Sequence, residues 1–442
     1  MRKAAQFVKT LQWSDLDEQV IRTAKNCLLD FIGAVLGGAQ TRAGEISLAL
    51  AKSMGGWGTA TIWPVHEKVS CQAAAFVHGT MGTVLDIDDG HRMAVGHPGG
   101  VVIPAAFAVA EHKDGTGREL IEAIVCGYEV GIRAGHVIRL QQAKPISIGS
   151  GRWGALGAAA AASRLMGLDP AKIEQALAVS GTLAPVAPVT DDIKVNGIVP
   201  MTKFCSGWGS LVGIQATLLA EKGFTGITSV IDFSLSKLPE WRRSFEIKQT
   251  YFKPFVSCRY VHPVIEATLG ILKEHPELTG EKIRKITVNV IESGTHLNHP
   301  RPETLESAQY SIPYLVGIAA TDGEVAFTKV NEGRLHDPKV LQMAEKVEIR
   351  HSEKMDAYFP KEAPAEVEIE TNSGDLFRKL VIRPKGDPQN PMSEKEFLNK
   401  FRSLATQNLS PEKAEQILGA VMDLEHLKRI SDLTALFGGS AS

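Results

Sequence analysis

The chain has 442 residues, 44% of them hydrophobic, so it can bury a large core and is expected to hold two domains or more. Its 48 basic and 50 acidic side chains nearly cancel to a formal charge of -2, which excludes an electrostatic footprint for nucleic acid or an anionic membrane. Five scattered cysteines (Cys27, Cys71, Cys126, Cys205, Cys258) form no Cys-x-x-Cys pair, which argues against a disulfide scaffold, a zinc ribbon or a familiar cluster motif and for a reduced, cytoplasmic setting.

The N-terminus lacks the apolar core of a signal peptide. Ser14, with Asp17 three residues on, is a capping arrangement for a helix through Val20, Ala24, Cys27, Leu28, Phe31 and Ile32, which Gly37-Gly38 should end. Cys71 to Val84 and Val101 to Ala110 read as buried helices, with Pro104 suited to a first turn. Thr116, answered by Glu119, opens a helix to Ala134, and the alanine-rich stretch Gly154 to Met166 reads as the central helix of a bundle. Ala171 to Val179 makes another. Phe204 to Ala220 is uncharged but carries Ser, Gly and Gln, so it reads as a buried helix and not a membrane span. Few strand signals precede Ala267.

After His275-Pro276 the pattern changes. Ile283 to Ile291, Val347 to Ile349, Val367 to Thr371 and Leu376 to Ile382 alternate in the strand manner, and Asn372-Ser373-Gly374-Asp375 reads as a hairpin turn. Helical stretches lie around Ser311 to Ala320 and Pro338 to Ala344, and the chain turns helical again from Ser393, with Pro411 opening one segment and Leu424 to Leu436 another. The expected fold is mainly α with a smaller α+β domain: a helical domain over 1–267 completed by 401–442, and an α+β domain over 268–400.

Between the two apolar helices stands Leu85-Asp86-Ile87-Asp88-Asp89-Gly90-His91-Arg92-Met93-Ala94-Val95-Gly96-His97-Pro98-Gly99-Gly100. Its glycines and proline break a helix, so a loop delivers three carboxylates, two imidazoles and a guanidinium into an apolar setting. A solvated turn and a metal site are alternatives, although the spacing fits no standard zinc or EF-hand pattern. Acid-base catalysis is the leading reading.

The Asp-x-Asp-Asp…His-Pro-Gly passage resembles the MmgE/PrpD family, which includes 2-methylcitrate dehydratase, cis-aconitate decarboxylase and iminodisuccinate epimerase. The resemblance continues through Lys203…Gly207 and Gly223-Phe224-Thr225-Gly226, through Lys253-Pro254-Phe255-x-x-Cys258-Arg259-x-x-His262, and through Gln309-Tyr310-Ser311-x-x-Tyr314. It implies that the final helices pack back on the helical domain, that the α+β domain acts as a lid, and that the protein forms a homodimer. It also implies a small polycarboxylate substrate. His97 is the candidate acid/base, with Asp86 or Asp89 orienting its imidazole and Tyr314 assisting from the lid. His91, Arg92, Lys203, Lys253, Arg259 and His262 are the candidates for binding substrate, with no cofactor and no metal. His262 reads equally as a core histidine, and the spacing to Gly207 leaves Thr202 and Lys203 both open as the pocket residue.

Two departures stand out. Ile148 occupies a position where many relatives carry histidine, which points away from decarboxylation and from a standard 2-methylcitrate dehydratase, and Gly90 replaces a common Thr or Ser. His91 and Arg92 are candidates to supply what Ile148 lacks. The family's reactions all break or form a C–H bond next to a carboxylate, so a dehydratase of a hydroxy-polycarboxylate such as citrate or 2-methylcitrate is the expected function. An epimerase of an imino-dicarboxylate, a cis-aconitate-type decarboxylase and a non-catalytic metabolite binder are the alternatives.

Overall fold

A computed structural model describes residues 1–55, 58–141, 149–186, 198–359 and 361–438. The first helix, α1 (Arg2–Thr10), is followed by α2 (Glu18–Gly38). Asp17, not Ser14, caps α2: its carboxylate accepts the Val20 N–H at 2.9 Å, while Ser14 falls in a single turn of tighter helix. Gly37 and Gly38 lie inside the helix rather than beyond it. Gly38 is needed where α2 meets the helix that carries Met81, because a Cβ there would collide with the Met81 carbonyl.

After α3 (Arg42–Ser53) comes a hairpin that the sequence did not announce, β1 (Ala60–Ile62) against β2 (Glu67–Val69). Helix α4 (Cys71–Val84) and helix α5 (Gly99–His112) then flank the polar loop. Gly99 and Gly100 open α5 instead of breaking it, since the Asp89 carboxylate accepts the Gly99 N–H at 2.9 Å, and Pro104 therefore sits in the second turn. The alanine-rich α7 (Ser150–Leu165) packs between α6 (Gly117–Gln141) and the helix Ser206–Glu221, with α8 (Pro170–Leu183) alongside. Small residues set these spacings: a Cβ on Gly157 would meet the Gly127 carbonyl at 2.5 Å, and one on Gly213 the Ala155 carbonyl at 2.9 Å.

A second core forms around a four-stranded sheet of order β6-β5-β7-β8. Strand β5 (Ile283–Val290) runs parallel to β6 (Val347–His351) and antiparallel to β7 (Ala365–Thr371), which pairs with β8 (Leu376–Val381). Helix His262–Glu274 packs on β7, β8 and helix Ile312–Asp322. Helix Glu394–Ala405, opened by a reciprocal Ser393–Glu396 cap, returns to α2 and adds Phe397 and Phe401 to the first core. The chain is thus mainly helical with a small mixed sheet. Among the described residues no helix is long and apolar enough to cross a membrane.

One short ladder ties the polar loop to the second half of the chain. Gly90–His91 (β3) pairs antiparallel with Thr250–Tyr251 (β4), Gly90 opposite Tyr251. This pairing brings Lys253 under the loop.

Candidate active site

The centre is built where α4 ends. Asp86 takes a left-handed conformation, φ +51°, and so do Val95, Lys203 and Cys205 close by. Four non-glycine residues held this way around one point mark a backbone constrained by its surroundings. Past the last turn of α4, Lys203 Nζ donates to the Val84 carbonyl at 2.8 Å and to the Gln309 side-chain oxygen. The Gln309 amide donates to the same Val84 carbonyl at 3.0 Å. A lysine and an amide therefore cap orphan helix carbonyls inside the protein. Thr202 is exposed and Lys203 is buried, so Lys203 is the residue facing the centre.

Asp86 is the hub. Its carboxylate is paired with Lys253, whose Nζ also donates to the Asp86 backbone oxygen at 2.9 Å; Lys203 Nζ lies 3.8 Å away and His97 Nε2 3.6 Å away. Burial alone would raise this carboxyl, but Lys253, Lys203 and His97 outweigh it and hold it well below the ordinary range. Lys203, by contrast, is pulled down by burial despite Asp86.

His97 is fixed on several sides. Its Nδ1 lies 3.1 Å from Asp88 Oδ1, its backbone N–H donates to Ser150 Oγ at 2.9 Å, and its ring stacks on Phe204 at 4.4 Å. Tyr310 completes the arrangement from the second core. Its ring faces Lys203 Nζ at 5.8 Å, and burial followed by the Asp86 charge keeps its phenol firmly protonated. Cys258 is also near Asp86, its thiol pushed up to about 12 by burial and then by that charge.

The structure thus gathers Asp86, His97, Lys203 and Lys253 around one point and places the other expected residues elsewhere. Asp89 accepts from the Tyr128 hydroxyl at 2.5 Å and from Gly99, so Asp88 and not Asp89 stands at the His97 Nδ1. Burial and the charges of Asp88 and Asp30 push the Asp89 carboxyl up to about 7. Arg92 and Arg259 both serve the buried Asp387, at 2.7 and 3.0 Å, on opposite oxygens. His91 lies 3.8 Å from Glu246, pushed down to about 4 by burial. His262 Nε2 meets the Ser257 carbonyl at 3.2 Å, and burial followed by Arg259 and Lys253 drives it well below its usual value, the state of a neutral core histidine. Tyr314 is buried near Arg334, Asp337 and Asp322, away from Asp86. Ile148 lies outside the described residues.

Sequence reasoning had Asp88, Gln309 and Tyr310 in view inside its motifs without assigning them work. Ser150 and Phe204 were likewise in view without a role, and Asp387 carried no local signal. Among the described residues no group of three or more His, Cys, Asp or Glu is arranged to hold a metal ion.

Fold and site together define a two-core, mainly helical protein with a buried histidine–carboxylate–lysine centre at the end of one helix. The MmgE/PrpD N-terminal domain model matches residues 2–234 and the MmgE/PrpD C-terminal domain model residues 255–426, and the chain belongs to this family. Across 98% of its length it is 27% identical to cis-aconitate decarboxylase of Homo sapiens, covering 94% of that protein. It is 26% identical to the cis-aconitate decarboxylase-like protein oryM of Aspergillus oryzae, covering 98% of this chain and 96% of the relative. Cis-aconitate decarboxylase of Aspergillus terreus is 25% identical over 97% of this chain and 94% of its own.

Proposed function

We propose that the protein is a cofactor-independent lyase that dehydrates a small hydroxy-polycarboxylate of the citrate or 2-methylcitrate class. The observation that carries this reading is the position of His97, with Asp88 at Nδ1 and the Asp86–Lys253 pair beside Nε2. A carboxylate at Nδ1 keeps the ring proton on that nitrogen and leaves the Nε2 lone pair as the base.

In the proposed reaction His97 Nε2 takes the proton from the carbon next to a substrate carboxylate. Negative charge builds on that carboxylate, and Lys203 and Lys253 supply the opposing field in a water-poor site, worth roughly 3 kcal/mol for a well-aimed donor. The C–O bond breaks as the double bond forms, and the departing hydroxide takes a proton from Tyr310. Water leaves, and the proton held by His97 returns to the phenolate. A positioned acid or base of this kind contributes about 10²–10⁴-fold. Two proton-bearing groups from different parts of the chain, His97 and Tyr310, support dehydration, which needs both.

The curated relatives' names support a second reading, decarboxylation of cis-aconitate, in which a protonated His97 delivers its proton to carbon as carbon dioxide leaves. Proton NMR in D2O with citrate, 2-methylcitrate and cis-aconitate separates them. A vinyl signal from citrate or 2-methylcitrate establishes the dehydratase, and itaconate from cis-aconitate the decarboxylase. In either case His97→Ala should abolish the signal. Neither product from any of the three would overturn the lyase reading.

A further inference from the structure

Tyr251 is a buried phenol that the mechanism above does not use. It ends β4 opposite Gly90, is 6% exposed, and lies so close that a Cβ on Gly90 would collide with its Cζ and hydroxyl oxygen. Two guanidinia flank the ring, Arg259 at 4.8 Å and Arg92 at 6.0 Å from its centroid, both held in place by Asp387. Phe252 packs the other way, against Phe397 at 5.0 Å, so Tyr251 and Lys253 share the inner side of this extended segment, and Lys253 reaches Asp86.

The Tyr251 hydroxyl makes no hydrogen bond with the described residues. With the ring fixed between two arginines and no side chain on Gly90, this hydroxyl is a donor with no acceptor of its own. The surrounding cations make that acceptor an anion.

We propose that the Tyr251 hydroxyl is a specificity-determining donor to a substrate carboxylate, and that position 90 is glycine to admit it. This deepens the lyase reading and rests on it. A carboxylate bound there would sit beside the Arg92–Asp387–Arg259 clamp, with its reacting carbon directed toward His97 and Asp86. The Gly90–Tyr251 pair then does the work that a short hydroxyl side chain at position 90 could do with a smaller residue at 251.

The test is calorimetric binding of tricarballylate, a tricarboxylate with neither a hydroxyl to lose nor a double bond. Tyr251→Phe removes one oxygen and should weaken binding roughly ten-fold with an unchanged melting temperature. On a substrate that is turned over, it should raise KM with kcat within about two-fold. In a Tyr251→Ala background, Gly90→Ser should recover part of the lost affinity. Equal affinity for wild type and Tyr251→Phe overturns the assignment and leaves the lyase reading standing. No gain from Gly90→Ser overturns the exchange of one hydroxyl position for the other. Failure of the wild type to bind tricarballylate would instead overturn the polycarboxylate reading, and this assignment with it.

Discussion

The Nδ1 of His97 lies 3.1 Å from Asp88, and its opposite nitrogen lies 3.6 Å from Asp86, a carboxylate already neutralised by two lysines. The two aspartates therefore have different jobs. Asp88 stands on the Nδ1 side of the ring, and neither that nitrogen nor the Asp88 carboxylate is hydrogen-bonded to any other described residue. Asp86 anchors Lys203 and Lys253 beside the place where charge would develop.

Tyr310→Phe should lower kcat by about 10²-fold or more, within the usual range for a positioned acid, with no loss of thermal stability. Its hydroxyl makes no direct hydrogen bond among the described residues and lies in the field of Asp86, so removing one oxygen should leave the fold intact. Steady-state kinetics beside a thermal melt checks this. An unchanged kcat would remove Tyr310 from the reaction.

Lys253→Met should destabilise the fold by about 3–5 kcal/mol at neutral pH, because Asp86 loses its closest counter-charge in a buried site. The sign follows from the depressed Asp86 carboxyl. Its stabilisation is present above the ordinary carboxyl range and is lost as acid protonates it. The gap between variant and wild type should therefore narrow below about pH 4, measured by urea unfolding across pH.

Asp89 behaves oppositely. Burial raises its carboxyl to about 7. The stability linked to its proton is full below the ordinary carboxyl range and is lost as the pH rises through 7. Asp89→Asn keeps the neutral form, so it should nearly match wild type at or below about pH 4 and be the more stable protein at about pH 8. Melting temperatures at the two pH values decide it.

Asp387→Ala should leave Arg92 and Arg259 without their shared counter-charge and cost about 3–5 kcal/mol. Formate, sized for the vacated carboxylate, should restore part of the melting temperature in the variant and leave wild type unmoved. A variant as stable as wild type would mean that the arginines find other partners.

The strands of the second core were legible because β5 and β7 keep a buried residue at nearly every second position, and Thr116, answered by Glu119, announced its helix by capping chemistry. The β3–β4 ladder is two residues long, too short to show a period, yet it decides which residues meet Asp86. The choice between Asp88 and Asp89 turns on the left-handed Asp86, which sets where the following side chains point. Tyr310 and Tyr314 share one motif, but the helix opens at Ile312, so Tyr314 turns toward Arg334 while Tyr310, in the turn before it, meets Lys203. Asp387 was invisible because its pairing with Arg92 and Arg259 exists only in three dimensions.

The most direct test is the rate of deuterium transfer between D2O and the substrate carbon in Asp88→Asn, followed by proton NMR alongside tricarballylate binding. If Asp88 holds the His97 proton on Nδ1, exchange and product formation should fall together by about 10²-fold or more while tricarballylate binds as it does to wild type. An Asp88→Asn enzyme that exchanges and turns over at the wild-type rate would contradict the assignment of His97 as the base.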